Sequence, residues 1–474
     1  MKVRFKLKPR VRRGSYEIDM TSGPLLSKIC MFAIPLALSG ILQLLFNAAD
    51  IVVVGNFAGS TALAAVGSTG ALINLIVNVF IGLSVGTNVL VARYYGAGQG
   101  KDLTETVHTS ITTSLVSGAI LIFVGVLLAK PLLSLMGTPD DVIDQAALYM
   151  RIFFIGMPAN MLYNFGAAVL RAVGDTKRPL YFLLIAGVVN VVLNLFFVIV
   201  CHMDVAGVAI ATVVSQCISA VLVTLCLVKS DGPYRLDLKK LGIKKDKLLG
   251  IAKIGLPAGV QGAIFSISNV LIQSSINSFG SVAMAGSTAA SNIEGFVYTA
   301  MNAFHQAALS FTGQNIGAGK HKRVGKIMGV CVFLVSVVGL VLGMSAYLFG
   351  NQLLRIYSSD PEVIAYGLER MMVICTVYFI CGIMDVLVGS LRGMGYSVVP
   401  MIVSVVGVCG LRVLWIYTFF AMNHTLFNLY LSYPVSWFIT GAIHFVSYLV
   451  IHHKVVGKRL KAEKLRELEA GQEP

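Results

Sequence analysis

Four ionisable residues stand inside long apolar stretches of the sequence: Asp50, Glu294, Asp385 and Arg412. A charge at the middle of a bilayer costs about 2.5–3.5 kcal/mol on insertion scales, so a charge that persists there usually faces a cavity or a partner. These four residues are therefore the first candidates for a binding site. Such a site could bind a proton, a small cation or a charged substrate.

Asp50 has amide neighbours at helical spacing. Gln43, Asn47 and Asp50 fall at i, i+4 and i+7, which places them on one face of a helix. Oxygen-rich surroundings suit a hard cation, and burial of a carboxylate favours its protonated form. The sequence predicts a proton or transient Na⁺ site at Asp50 and no other metal site. Three asparagines of other segments join this group, although each could equally serve interhelical hydrogen bonding: Asn164, Asn190 and Asn194.

A second group follows at i, i+4, i+8 and i+11 on one predicted helix: Glu294, Tyr298, Asn302 and His305. With Asp385 and Arg412 it forms a candidate site for a second cation or for the charged part of a substrate. The alternative is an internal ion pair in which Arg412 neutralises Glu294 or Asp385. We expect one of these carboxylates to pair with Arg412 and the other to be available.

The elements that carry these residues are predicted to be membrane-spanning helices. Only 12% of the 474 residues are charged and 56% are hydrophobic, whereas soluble chains carry about 25% charged residues. Apolar stretches of roughly 20 residues recur, each long enough for a bilayer core of about 30 Å, and they lack the period of two that barrel strands show. Twelve helices are predicted, at 27–54, 62–92, 104–128, 141–170, 178–200, 206–228, 249–276, 283–312, 324–349, 362–391, 398–421 and 426–451.

An internal repeat relates the two halves of the chain. Gly96-Ala97-Gly98 recurs as Gly317-Ala318-Gly319, an offset of 221, and Pro35 recurs as Pro257 at 222. Each half holds an even number of helices, so the halves are predicted to be parallel repeats. The predicted organisation is a cytosolic tail (1–24), a first lobe (25–228), a cytosolic linker (229–248), a second lobe (249–451) and a cytosolic tail (452–474).

The four intramembrane charges break this repeat. Asp385 corresponds to Asn164 and Arg412 to Val191 at the offset of 221. A residue that only supported the shared scaffold would be expected in both halves. The exceptions therefore indicate function.

The basic residues predict an orientation. Of the 37 lysines and arginines, Lys130, Arg151, Arg355 and Arg370 are assigned to one side, and Arg412 lies within a span. The other 32, including those of the segment Lys2–Arg13, fall on the opposite side, which is the positive-inside pattern. The net charge of +15 therefore indicates orientation rather than nucleic-acid binding, and both termini are predicted to be cytosolic.

Other chemistries lack their motifs. The eight cysteines form no CxxC pair or histidine-linked metal spacing. The Gly-Ala-Gly loops are not followed by GK[ST], which excludes a P-loop, and no HExxH sequence is present. The sequence therefore predicts a protein that is not an enzyme, has no cofactor, and is driven by an H⁺ or Na⁺ gradient.

Several motifs resemble those of the multidrug and toxic compound extrusion (MATE) family, especially its bacterial members. They are Pro35 with Asn47-Ala-Ala-Asp50, Gly96-Ala-Gly, Leu170-Arg-Ala-Val-Gly-Asp175, Gly313-Gln-Asn-Ile-Gly317-Ala-Gly and Leu391-Arg-Gly-Met-Gly395. The resemblance implies twelve helices in two bundles around a V-shaped cavity, and a cation site that includes Asp50, Gln43 and Asn190. The chain departs from the family at one position, because Asn194 stands where many relatives carry a second aspartate.

The resemblance implies that the chain is a monomeric antiporter of the inner (plasma) membrane. Such a protein exports organic, cationic or aromatic compounds in exchange for H⁺ or Na⁺, and its partners are small organic substrates and the lipid bilayer, with no nucleic acid. The alternative is a flippase for a lipid-linked saccharide or another amphiphile. Flippase cavities carry several basic residues, whereas Arg412 alone is predicted to be intramembrane here.

Overall fold

The structure is a computed structural model that describes residues 16–470, except for the side chains of Ser60, Leu63 and residues 456–470. The basic segment Lys2–Arg13 and the last four residues lie outside this range. Within it the fold is all-helical, as predicted. The predicted cytosolic tails, 1–24 and 452–474, therefore lie partly outside the described residues.

Of the described residues, those of the first half, from residue 16 onward, form seven α-helices. They are α1 (Leu25–Phe57), α2 (Gly59–Ala97), α3 (Gly100–Leu135), α4 (Asp140–Ile155), α5 (Met157–Ala172), α6 (Lys177–Leu195) and α7 (Asp204–Val228). A π-helical turn, Phe196–Val200, continues α6.

The second half, as far as residue 470, forms nine α-helices. They are α8 (Lys245–Asn277), α9 (Ser281–Gly317), α10 (His321–Leu348), α11 (Gly350–Leu354), α12 (Pro361–Ile374), α13 (Phe379–Gly393), α14 (Val398–Ser404), α15 (Leu411–Trp415) and α16 (Leu426–Ala470). A 3₁₀ turn, Cys375–Val377, joins α12 to α13, and π-helical turns flank α15 at Val405–Gly410 and Ile416–Phe420.

Eleven candidate membrane spans are present in residues 16–470. Nine are single helical stretches, and two are helix pairs bent by 48°, α4 with α5 and α12 with α13. The predicted single helices 141–170 and 362–391 are thus broken. In the first pair the break lies at Gly156, just before Pro158, which has no N–H to continue the hydrogen-bond ladder.

The eighth predicted span, 283–312, lies in α9 and is not among these eleven. This helix is continuous over 37 residues, but its composition is less apolar than that of the other spans. Its buried residues include Ser287, Glu294, His305, Thr312 and Gln314. Because α9 buries polar groups on several turns, it resembles a helix that lines an interior site more than one that faces lipid.

The two halves repeat the same packing pattern. In the first half α5 packs against α2 and α3, and α4 packs against both of them as well. In the second half α13 packs against α9 and α10, and α12 packs against the same two helices. The repeat seen in the sequence is therefore also a repeat of helix contacts.

The helices form two compact units. Of the described residues, the first unit comprises 16–22 and 30–266, and the second comprises 23–29 and 267–470. Both α1 and α8 therefore contribute residues to each unit. Apolar side chains such as Phe123 (68% exposed) and Phe438 (66% exposed) cover outer faces of these units, as expected for helices surrounded by lipid.

Close backbone contact joins α2 to the first part of α8. A Cβ on Gly82 would lie 2.3 Å from the backbone nitrogen of Gly259, and a Cβ on Gly86 would lie 2.1 Å from the carbonyl oxygen of Ile251. Gly82 with Gly86, and Gly255 with Gly259, each form a GxxxG spacing, which lets helices in lipid approach closely.

Residues 16–22 form an N-terminal strap on the first unit. The carboxylate of Glu17 accepts hydrogen bonds from the hydroxyl of Tyr95 at 2.9 Å and from that of Tyr234 at 2.6 Å. Burial and the bond to Glu17 raise the pKa of Tyr234 to about 12. Its phenol therefore stays protonated and keeps donating at physiological pH.

Candidate functional site

Asp50 meets an asparagine network in the first unit. The Asn194 side-chain amide of α6 donates to the Asp50 carboxylate of α1 and to the Asn190 Oδ1 at 3.3 Å. Asn190 in turn lies 3.5 Å from the Thr212 hydroxyl of α7. Three helices thus supply one chain of polar groups that ends at a carboxylate.

An open acceptor lies beside this carboxylate. The Oδ1 atom of Asn194 is buried and has no hydrogen-bond partner among the described residues. Leaving a buried acceptor unpaired costs about 1–3 kcal/mol, unless a cation or proton donor fills the position. Asp50 and the Asn194 oxygen are the groups that could hold such a cation.

The other predicted members of the first group lie apart from these bonds. Gln43 and Asn47 are exposed on α1. The Asn164 amide donates to the Asn160 carbonyl oxygen at 2.9 Å and to its Oδ1 at 3.0 Å, within α5. The structure therefore brings Asp50, Asn190 and Asn194 together but joins none of the other three to Asp50 by a hydrogen bond.

Glu294 is paired with an arginine that the sequence analysis assigned to the membrane surface. The Nε and Nη2 atoms of Arg370 donate to the two carboxylate oxygens at 2.9 and 2.8 Å, and its Nη1 donates to the Ser287 hydroxyl at 2.9 Å. Arg370 and Glu294 are each 5% exposed. The assignment of Arg370 to the outer side stays a prediction, but its buried partner was not predicted, because nothing in the sequence indicated that its guanidinium lies inside the unit.

Arg412 therefore lacks the carboxylate partner that was predicted for it. The guanidinium lies over the Tyr433 ring at 4.2 Å and near the Trp437 ring at 5.8 Å, and its Nε donates to the Ser436 hydroxyl at 3.1 Å. Within residues 16–470 it forms no salt bridge with Glu294 or Asp385. The expected ion pair was wrong because Arg370 already occupies both oxygens of Glu294.

Asp385 has a tyrosine hydroxyl beside its carboxylate and lies within electrostatic range of Arg392. Tyr298 of α9 hydrogen-bonds to the Asp385 carboxylate of α13 and to the Asn302 side chain. The His305 Nδ1 lies 2.7 Å from the backbone oxygen of Asp385 and donates its proton to it. The predicted face of α9 thus divides, with Glu294 bonded to Arg370 and the other three grouped around Asp385.

An aromatic row connects these groups. Tyr298 stacks on Tyr378 with ring centroids 6.4 Å apart, and Tyr378 stacks on Trp437 at 5.2 Å. Trp437 meets Tyr433 edge to face at 5.7 Å. The row runs from Tyr298, which is 38% exposed and bonded to Asp385, to the buried guanidinium of Arg412. Such a surface suits planar organic molecules.

Several of these residues were not predicted from the sequence. Arg370 stands in the apolar run that follows Gly367 and corresponds to Tyr149 at the offset of 221, which is a further exception to the repeat. Tyr149 itself lies within electrostatic range of Asp50. Applying the comparison of halves to every charged residue would have identified Arg370. No comparable signal marks Tyr378, Tyr433 or Trp437, because aromatic residues are common in membrane helices.

The MatE family model matches the chain twice, over residues 35–196 and over residues 257–418. The chain belongs to the MatE family. The second match begins 222 residues after the first, which confirms the tandem repeat and the resemblance drawn from the motifs. The MatE protein is accordingly a multi-pass membrane transporter.

Two relatives from Bacillus subtilis are similar over most of their length. Probable multidrug resistance protein YpnP is 31% identical over 396 residues, which cover 83% of the MatE protein and 88% of YpnP. Probable multidrug resistance protein YoeA is 28% identical over 390 residues, covering 81% and 84%. A solved MOP superfamily transporter from Pyrococcus furiosus has the same fold, with a TM-score of 0.87 and 20% identity over 94% of this chain and 99% of that one.

Proposed function

We propose that this MatE protein is a secondary active antiporter that exports organic, cationic or aromatic compounds in exchange for H⁺ or Na⁺. The relatives named for multidrug resistance support extrusion of toxic compounds and favour it over lipid flipping. The observation that carries the coupling step is the contact of Asp50 with Asn194, beside the unpaired Asn194 oxygen.

Asp50 is the proposed coupling residue. Binding of a proton or Na⁺ neutralises the carboxylate and changes its bond to Asn194, since an ionised carboxylate only accepts whereas a protonated one can also donate. Asn194 relays this change to Asn190 and Thr212, on α6 and α7. A ligand that binds one conformation better shifts the transporter toward that conformation.

The remaining features of the proposal follow from the sequence. The protein works as a monomer in the inner (plasma) membrane with both termini in the cytosol, and it needs no cofactor. The aromatic row of the second unit supplies the surface for planar substrates, and Asp385 with Tyr298 supplies a negative group for cationic ones.

Transport into proteoliposomes tests this proposal. A fluorescent organic cation is offered under a proton gradient and under a sodium gradient, imposed separately. The parent protein is expected to respond to one of them, and Asp50→Asn is expected to lose at least about tenfold of that response, because the amide can bind neither ion as a counter-charge. Asp141→Asn is the matched control, since Asp141 is exposed at the start of α4.

The outcomes separate the parts of the proposal. Equal rates for Asp50→Asn and the parent would show that Asp50 does not couple transport. A parent protein that ignores both gradients would overturn antiport. Stimulation by a lipid-linked oligosaccharide, without transport of organic cations, would establish the flippase alternative.

A further inference from the structure

Arg412 is a buried cation that no buried carboxylate neutralises in the described part of the chain. Only 5% of the residue is exposed, and its electrostatic neighbours are Tyr433, Cys381, Cys409 and Tyr378, none of which is a carboxylate. Desolvating a guanidinium is costly, and contact with aromatic rings recovers only part of that cost. A charge-assisted contact with an anionic ligand would recover more of this desolvation free energy.

Arg370 serves as an internal comparison. Both guanidinium groups lie near the Tyr433 ring, at 5.6 Å for Arg370 and 4.2 Å for Arg412. Arg370 forms a bidentate ion pair with the Glu294 carboxylate, whereas Arg412 has only the Ser436 hydroxyl as a hydrogen-bond partner among the described residues. Of these two arginines, Arg370 has the planar carboxylate partner that guanidinium groups favour, and Arg412 does not.

The surroundings of Arg412 also favour a ring system. Tyr433 and Trp437 flank the guanidinium, and the row continues through Tyr378 to the half-exposed Tyr298. A planar molecule with an acidic group could place the acid at Arg412 and its rings along this row. Asp385 lies at the other end, beside Tyr298, so like charges are kept apart.

We propose that Arg412, with Ser436, Tyr433 and Trp437, binds the carboxylate or phosphate group of an aromatic organic anion, so that the substrates of this transporter include such anions. This inference rests on the proposed export function, whose coupling site lies elsewhere, at Asp50. Charge-assisted bonds from the guanidinium hold the anionic group, while the aromatic row holds the rings.

Two pairs of probes separate charge from shape. Fluorescein and tetramethylrhodamine methyl ester share a xanthene ring but carry opposite charge. Flavin mononucleotide and riboflavin differ by one phosphate. Transport of each is measured in proteoliposomes under the coupling gradient. In Arg412→Gln we expect at least about tenfold slower transport of fluorescein, of flavin mononucleotide, or of both, with the rhodamine rate within about twofold of the parent. Loss for fluorescein alone assigns a carboxylate, and loss for the flavin alone assigns a phosphate.

Binding gives a readout that does not depend on transport. The chain has two tryptophans, Trp415 and Trp437, so Trp415→Phe leaves Trp437 as a reporter beside Arg412. In this background flavin mononucleotide should quench Trp437 fluorescence at a Kd at least about tenfold lower than riboflavin does. Adding Arg412→Gln should abolish that difference, Arg412→Lys should retain part of it, and Arg355→Gln, which removes an exposed charge, should leave it unchanged.

Each contrary result overturns the inference. Equal transport of the anionic probes by Arg412→Gln and the parent would do so while leaving the export function intact. Loss of all probes in Arg412→Gln, with no preference for flavin mononucleotide over riboflavin in the Trp437 assay, would assign Arg412 a structural role. If the parent transports nothing, the proposed function fails, and the quenching assay alone then decides whether Arg412 binds the anion.

Discussion

Arg370 and Arg412 are buried in the same aromatic surroundings, yet their electrostatic environments differ. Arg370 forms a bidentate ion pair with Glu294, and the ring centroids of Tyr430 and Tyr433 each lie 5.6 Å from its guanidinium carbon. Removing one partner of a buried pair leaves an uncompensated charge, which costs far more than removing both. Glu294 is therefore expected to stabilise the fold, whereas Arg412 and Asp385 are the residues that we propose for substrate binding.

Glu294→Gln is expected to lower the free energy of unfolding by about 3–5 kcal/mol, because Arg370 would keep its charge without a counter-charge. Thermal unfolding of the purified protein in detergent measures the change as a lower Tm. Glu369→Gln is the matched control, since Glu369 precedes Arg370 in α12 and forms no salt bridge with it.

The double variant Glu294→Leu with Arg370→Met sharpens this test. Replacing both members of a buried pair with apolar residues is often neutral, so most of the lost stability should return. A Tm of Glu294→Gln equal to that of the parent would show that the pair does not stabilise the unit.

At the scale of elements, the polar sites depend on the distance between neighbouring helices and on the local helix type. Asp50 on α1 reaches Asn194 on α6, and Arg412 lies in α15, between two π-helical turns. Such turns shift the helical register by one residue and are frequent at functional sites. Glycines on α2 and α8 set the distance between those two helices in the first unit.

Gly82→Leu is expected to lower the Tm well below that of Gly70→Leu. A side chain at Gly82 would meet the backbone of Gly259, whereas nothing lies within 4 Å of a Cβ on Gly70. Overpacking typically costs about 1–3 kcal/mol, and backbone cannot move aside as a flexible side chain can. Both glycines lie in α2, so the pair controls for the change in apolar surface. Equal stability of the two variants would contradict the importance of the α2–α8 contact.

At the scale of the whole molecule, the repeat provides a common scaffold and the exceptions to it provide different chemistry. Tyr149 and Arg370 occupy equivalent positions at the offset of 221. Tyr149 lies near the charge of Asp50, whereas Arg370 neutralises Glu294. The first unit thus holds a carboxylate bonded to amides, and the second holds an ion pair, a second carboxylate and a guanidinium.

The positive-inside pattern predicts how the chain crosses the membrane. Alkaline phosphatase, which is active only outside the cytosol, is expected to be active when fused at Gly137 and inactive when fused at Asp231. The reason is that the loop around Asp231 carries many lysines and arginines, whereas few lie near Gly137. A fluorescent protein that folds only in the cytosol should give the reciprocal pattern. The reverse result at both positions would show that the termini are not cytosolic.

The sequence by itself determined the helices, the repeat and the positions of most polar groups. Apolar length predicts a spanning helix because backbone polar groups cannot remain unpaired in lipid. Spacing places Glu294, Tyr298 and Asn302 on one face because the helical period is fixed. These are local properties, and a linear pattern is enough to read them.

The partners of these groups were decided only by tertiary structure. Arg370 pairs with Glu294, and Arg412 lies among Tyr433, Trp437 and Ser436. Both guanidinium groups reach residues on other helices, and the spacing of residues in the sequence does not show how those helices bend and rotate. At the breaks α4–α5 and α12–α13 the helix direction bends by 48°. The sequence therefore identified most of the charged residues that need a partner in the membrane, although not Arg370, and only the packing of the helices determined which partner each one meets.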